Sequence, residues 1–170
     1  MPISRLRRTI SACVVGALAS APIAFAATAQ TPAKAAAAPT KAAKAAPKVA
    51  HKVAIQVNQN DKALMNLALN NAKNVIDYYN EKGEMVAVEI VTYGPGLHML
   101  RDDTSPVKDR IGPMSLEHRN LAFIACGNTQ ANQSKAEGKP VSLISEAKVV
   151  PSGVVRLMEL QKQGYAYIRP

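Results

Sequence analysis

Tryptophan is missing from these 170 residues, and only two phenylalanines and five tyrosines take its place. So small an aromatic supply argues against a stacking platform for single-stranded nucleic acid. Acidic residues are missing too, up to Asp61. The formal net charge of +9 is therefore uneven: +3 over residues 1–26, +5 over 27–52, and +1 over 53–170, where thirteen Lys and Arg meet twelve Asp and Glu. The basic total belongs to the leader, and the body is nearly neutral, so no nucleic-acid partner is expected. Cysteine is reduced to Cys13 and Cys126, and histidine to His51, His98 and His118. No pair among these stands at CxxC or i, i+4 spacing, so no metal centre is expected. GxGxxG, P-loop and GxSxG motifs do not occur, which removes support for dinucleotide, nucleoside-triphosphate and serine-hydrolase chemistry; no cofactor is expected.

What the N-terminus does hold is a three-part export signal. Arg5, Arg7 and Arg8 precede an apolar stretch from Ile10 to Phe25, which ends at the small-residue site Ala24-Phe25-Ala26. Residues 1–26 read as a signal peptide cleaved after Ala26, which gives a periplasmic protein. No second hydrophobic segment follows, so no stable membrane insertion is expected after cleavage. Residues 27–48 are mostly Ala, Lys and Pro, with Pro32, Pro39 and Pro47 cutting each short helical run, and they read as a disordered linker. Cleavage removes Cys13 and leaves Cys126 as an odd thiol in an oxidising compartment, a pattern that points to intermolecular pairing or to a reactive thiol.

The folded domain is expected over residues 49–170. Val53, Ile55 and Val57 alternate as a first strand, Asn60 or Asp61 caps a helix, and Gly83 ends it. Leu64, Leu67, Ala68, Ala72, Val75, Ile76 and Tyr79 form its apolar stripe. Met85–Val91 is a second strand. A weaker helix is expected from Ser105-Pro106, interrupted at Gly112-Pro113. Leu121–Cys126 reads as a central strand, Thr129–Ala136 as a polar helix, and Ala147–Val150 as a fourth strand. Ser152 then caps a last helix with Val154, Val155, Leu157 and Met158 behind it, and Tyr165–Ile168 closes the chain as a strand. Strands alternating with helices define an α/β fold: a small Rossmann-like or flavodoxin-like domain, mainly a parallel sheet of about five strands with helices on both faces.

Three strand-to-helix turns should meet on one sheet edge: Asn58-Gln59-Asn60, Tyr93-Gly94-Pro95-Gly96 and Cys126-Gly127-Asn128-Thr129. Cys126 would then stand at a helix N-terminus, where free N–H groups and the positive end of the dipole favour a thiolate. A buried, inert cysteine fits the same spacing. A copper site of Cys126, His98 and Met99 is a further alternative, against which a surface histidine and a core methionine are the plainer reading.

Three segments resemble the DsrE/DsrF-like family of sulfur-relay proteins, in particular an exported branch. They are Tyr93-Gly94-Pro95-Gly96-Leu97, Phe123–Thr129, and the closing run from Val150-Pro151-Ser152-Gly153-Val154 to Ile168. The resemblance covers roughly residues 52–170. It implies a Rossmann-like domain that forms homo-oligomers, often a trimer or hexamer. It also implies a cysteine that carries sulfane sulfur as a persulfide and exchanges it with a donor or acceptor protein. Only Cys126 can take that role, with Tyr93, Gly94, Gly96, Gly127, Asn128 and Thr129 as the ligand-binding rim. The alternative expectation is a non-enzymatic homo-oligomeric module that binds a small ligand or a protein near Tyr93–Leu97.

Overall fold

The computed structural model describes residues 49–170; the signal-peptide and linker assignments lie outside the described residues. The alternation after Val49 becomes strand β1 (His51–Val57), and Asp61 caps helix α1 (Lys62–Glu81) by accepting the Leu64 N–H at 2.8 Å. Then come β2 (Val86–Thr92), a 3-10 segment (Gly94–Leu100), α2 (Lys108–Glu117), β3 (Leu121–Cys126), α3 (Gly127–Glu137), β4 (Ala147–Val150), α4 (Gly153–Lys162) and β5 (Ala166–Ile168).

The strands lie in the order β4-β3-β2-β1-β5, and every pairing is parallel. The register aligns Ile55 with Ile90, Ile90 with Phe123, and Cys126 with Val150. From β1 to β4 each connection steps the same way across the sheet. Right-handed crossovers then put α1, α2 and α3 on one face. The connection from β4 to β5 returns across the whole sheet and puts α4 on the other face. The architecture is therefore a Rossmann-like, flavodoxin-like α/β fold with helices on both faces. Connections leaving β3 and β4 depart to opposite faces, which opens a crevice at their C-terminal ends, the place where open α/β sheets take ligands.

Two apolar layers hold the sheet. On the α1 face, Ile55, Ile90 and Phe123 pack against Met65, Leu69 and Ile76; on the α4 face, Ala54, Val91 and Ile124 pack against Leu157 and Leu160. Each fully buried aliphatic side chain contributes about 1.5–3 kcal/mol relative to exposure. Three expectations change. The buried stripe of α1 is Met65, Ala68, Leu69, Ala72 and Ile76, while Leu67 is 47% exposed. The 65, 68, 69, 72, 76 spacing centres the line, with Leu64, Val75 and Tyr79 of the expected stripe half-buried along its edge. Helix α2 starts at Lys108 and passes Pro113 without a break, because burial of Ile111 and Met114 holds the turns on either side of an exposed proline. Of the apolar residues expected inside α4, Val154, Val155 and Met158 stay outside, about half exposed.

Candidate functional site

The three expected turns do share the C-terminal edge of the sheet, and the Tyr93–Gly96 turn locks onto the end of β1. The Tyr93 N–H donates to the Val57 carbonyl at 3.2 Å. Gly94 is left-handed at φ +54°, and a Cβ on Gly96 would sit 2.3 Å from the Val57 oxygen. Only glycine fits at 96, since a contact that short with backbone cannot relax. Gly96 therefore faces Val57 and Asn58 and acts as a support for the turn.

Cys126 is the N-cap residue of α3 and is 5% exposed. Strand alternation turns its side chain toward the α4 face, with Ile124. A fourth turn, Pro151–Gly153, meets it there. A Cβ on Gly153 would lie 3.3 Å from the Cys126 Cβ and 3.1 Å from the Tyr93 Cβ, so the start of α4 presses directly on the cysteine and on Tyr93. The thiol thus stands between the N-termini of two helices, α3 and α4. Burial pushes it up. Hydrogen bonding from the Thr129 hydroxyl and from the backbone N–H groups of Gly153, Thr129 and Asn128 outweighs that penalty, and the pKa falls below its ordinary value. The Asn128 N–H also donates to the Pro151 carbonyl at 3.1 Å, which ties the first turn of α3 to the start of α4. Gly127, the first residue of α3, lies against the Val150 carbonyl. Tyr93 is half-buried, and desolvation raises its phenol.

Thr129 links the cysteine to the glycine turn. Its Oγ1 accepts the Gly94 N–H at 3.0 Å, which leaves the hydroxyl proton free to point at Sγ. One turn along α3, Gln133 Nε2 donates to the Gly94 carbonyl at 3.3 Å. Gln133 Oε1 accepts from Arg101 Nη1 at 3.2 Å. Arg101 is 2% exposed and is neutralised by Asp103 (2.9 and 2.7 Å) and Glu137. The guanidinium holds the Asp103 carboxyl down at about 2, and Glu137 is lowered for the same reason.

Beside this chain a groove of about 420 Å³ separates Gly94, Pro95 and His98 from Thr129, Asn132 and Gln133. It has no carboxylate, lysine or arginine in its wall. His98 Nδ1 is engaged with Thr104 Oγ1 at 2.8 Å, and Met99 is fully buried in the α1-side core. The copper grouping of His98, Met99 and Cys126 is not assembled, and among the described residues no cluster of three or more His, Cys, Asp or Glu could hold a metal ion.

Sequence reasoning missed Gly153, Gln133 and Arg101. Thr129, Gln133 and Glu137 stand at i, i+4 and i+8, a polar stripe that was visible in an otherwise unpatterned helix. The contact of Gly153 with Cys126 needs the β3–β4 pairing, which no local pattern announces.

No family model and no curated protein matches the chain. Among solved structures it is similar to a protein of unknown function from Methanobacterium thermoautotrophicum, at 29% identity and a TM-score of 0.60. The similarity covers 71% of this chain and 99% of that one, so the α/β unit is nearly the whole of the neighbour.

Proposed function

We propose that this is an exported DsrE-like protein whose Cys126 binds or relays sulfane sulfur as a persulfide. The observation that carries the reading is the place of Cys126, between the N-termini of α3 and α4 at the crevice of the sheet, where the surrounding donors act to lower its thiol. A thiolate there attacks the outer sulfur of a polysulfide or persulfide donor, R–S–SH. The Cys126 S–S bond forms, the donor S–S bond breaks, and R–S⁻ leaves, with no net oxidation. Attack by an acceptor thiolate on the outer sulfur reverses the exchange and returns Cys126 as thiolate. The perthiolate is itself an anion, so the N–H groups of Gly153 and Thr129 and the Thr129 hydroxyl suit the loaded form as well. Export rests on residues 1–26, and the family reading on the three resembling segments; no described helix is long and apolar enough to cross a membrane.

The test is intact-mass spectrometry of the mature protein after polysulfide treatment. The expected result is one added sulfur, absent in Cys126→Ser and released to a small acceptor thiol. Wild-type protein that gains no sulfur, or a Cys126→Ser variant that gains as much, contradicts the reading.

The groove, without carboxylate, lysine or arginine in its wall, favours a second reading, a non-enzymatic module that holds a small ligand between Pro95–His98 and Asn132–Gln133. Here Cys126→Ser leaves binding intact, whereas Asn132→Trp closes the groove. Both readings include a homo-oligomer, trimer or hexamer, for which the exposed Val154, Val155 and Met158 of α4 are the apolar surface on offer. Light scattering of Met158→Lys should report a lower mass than wild type; an unchanged mass excludes this face.

A further inference from the structure

Gly94 is held at both ends of its backbone by side chains one turn apart on α3. Thr129 takes its N–H at 3.0 Å and Gln133 binds its carbonyl at 3.3 Å. Gln133 in turn has one possible orientation. An arginine only donates, so the Gln133 oxygen must face Arg101 and the NH₂ must face Gly94. Arg101 cannot drift, because Asp103 grips it through Nε and Nη2 and Glu137 through Nη1 and Nη2. The chain Arg101–Gln133–Gly94–Thr129 therefore ends, with a fixed sense of donation at each link, at the hydroxyl beside Cys126 Sγ.

We propose that Gln133, locked by Arg101, is a positioning residue for the Cys126 thiolate. It pins the Gly94 carbonyl, on the Gly94–Pro95 peptide, while Thr129 takes the Gly94 N–H, on the Tyr93–Gly94 peptide, so the glycine is held from both sides and the Thr129 O–H is left for Sγ. The inference rests on the reading of Cys126 as a nucleophile and names the residue that keeps the nucleophile supplied with its side-chain donor. Gln133 touches neither the thiol nor any transferred sulfur, so its influence passes through Thr129 alone. Without it, the Gly94–Pro95 peptide loses its side-chain partner, the glycine turn can shift on Thr129, and the threonine hydroxyl can donate elsewhere.

The experiment measures iodoacetamide alkylation of Cys126 against pH in the mature protein, with thermal melting alongside. Gln133→Leu should move the midpoint up by about half to one unit, a fall of about 3- to 10-fold in thiolate below the midpoint. Thr129→Val should do the same, and the double variant should add nothing further, since both act on one hydrogen bond. Thr129→Ser, which keeps the hydroxyl, should restore the wild-type profile. Lys135→Ala on the exposed side of α3 should leave it unchanged. A Gln133→Leu profile that overlays a low wild-type midpoint overturns the inference, and so do additive shifts in the double variant. Should Gln133→Leu melt early, Gln133→Glu decides: it keeps Arg101 bound but cannot donate to Gly94, so an unshifted midpoint again overturns it. A wild-type midpoint near that of an ordinary thiol, about 8.5, together with no sulfur uptake, removes the underlying reading instead.

Discussion

Helices α1 and α3 lie on the same face of the sheet and are attached in opposite ways. Helix α1 buries five residues completely, while α3 buries none and is held through Thr129, Gln133 and Glu137. Apolar burial is strong and non-directional, so it secures α1 without specifying the setting of any single group. Hydrogen bonds contribute about 0.5–1.5 kcal/mol each, yet they fix orientation. The first arrangement suits a helix that supplies stability. The second suits a helix whose first turn must present a hydroxyl and backbone N–H groups to Cys126. Stability and positioning are thus assigned to different helices.

Substitutions that separate the two attachments test this division. Leu69→Ala in α1 should cost about 2–5 kcal/mol in urea unfolding. The pH profile of Cys126 should stay where it was while the protein is folded, and a parallel shift in both would dissolve the distinction. Gly96→Ala drives a methyl into the Val57 carbonyl and should cost about 3 kcal/mol, the upper end for overpacking. Because that turn also carries Gly94, it is expected to raise the thiol as well. Thr129→Val should change global stability by less than about 1 kcal/mol and act on the thiol instead.

Acid should loosen α3 before α1. The folded carboxyl of Asp103 lies below its unfolded value, and Glu137 shifts the same way. Their contribution is therefore complete above the unfolded value and is lost as protons bind in the folded state. For Asp103 the window runs from 3.8 down to about 2. Amide exchange in α3 should speed up across that window, and Asp103→Asn should flatten the change. The smallest effect is expected at Leu67→Lys, within about ±0.5 kcal/mol, since the side chain stands outside the stripe of α1. A large loss there would restore the stripe first read from the sequence.

The features legible in the sequence are those carried by neighbouring residues. Strands Leu121–Cys126 and Ala147–Val150 and the Ser152 cap appear at the expected positions, because each depends on a local run or a single capping side chain. The face of α1 is shifted because two apolar lines share Ala68, Ala72 and Ile76, and only packing on the sheet adds Met65 and Leu69 at its centre, keeps Leu64 half-buried at its edge and leaves Leu67 outside. Pro113 misled for a similar reason, as burial on both sides overrode a poor helix residue. At the site, strand order was enough to bring Tyr93–Gly96 toward Cys126–Thr129. Gly153 requires knowing that β4 lies beside β3. Arg101 meets Gln133 across 32 residues of chain, a tertiary contact that no local spacing encodes.

The most direct test is the thiol pKa of Cys126 in wild-type mature protein, read from alkylation rates across pH. A midpoint clearly below about 8.5 is expected from two helix N-termini and the Thr129 hydroxyl acting on one sulfur. A midpoint at or above that value would mean that burial dominates, that Cys126 is a packed core thiol, and that no sulfur chemistry is centred on it.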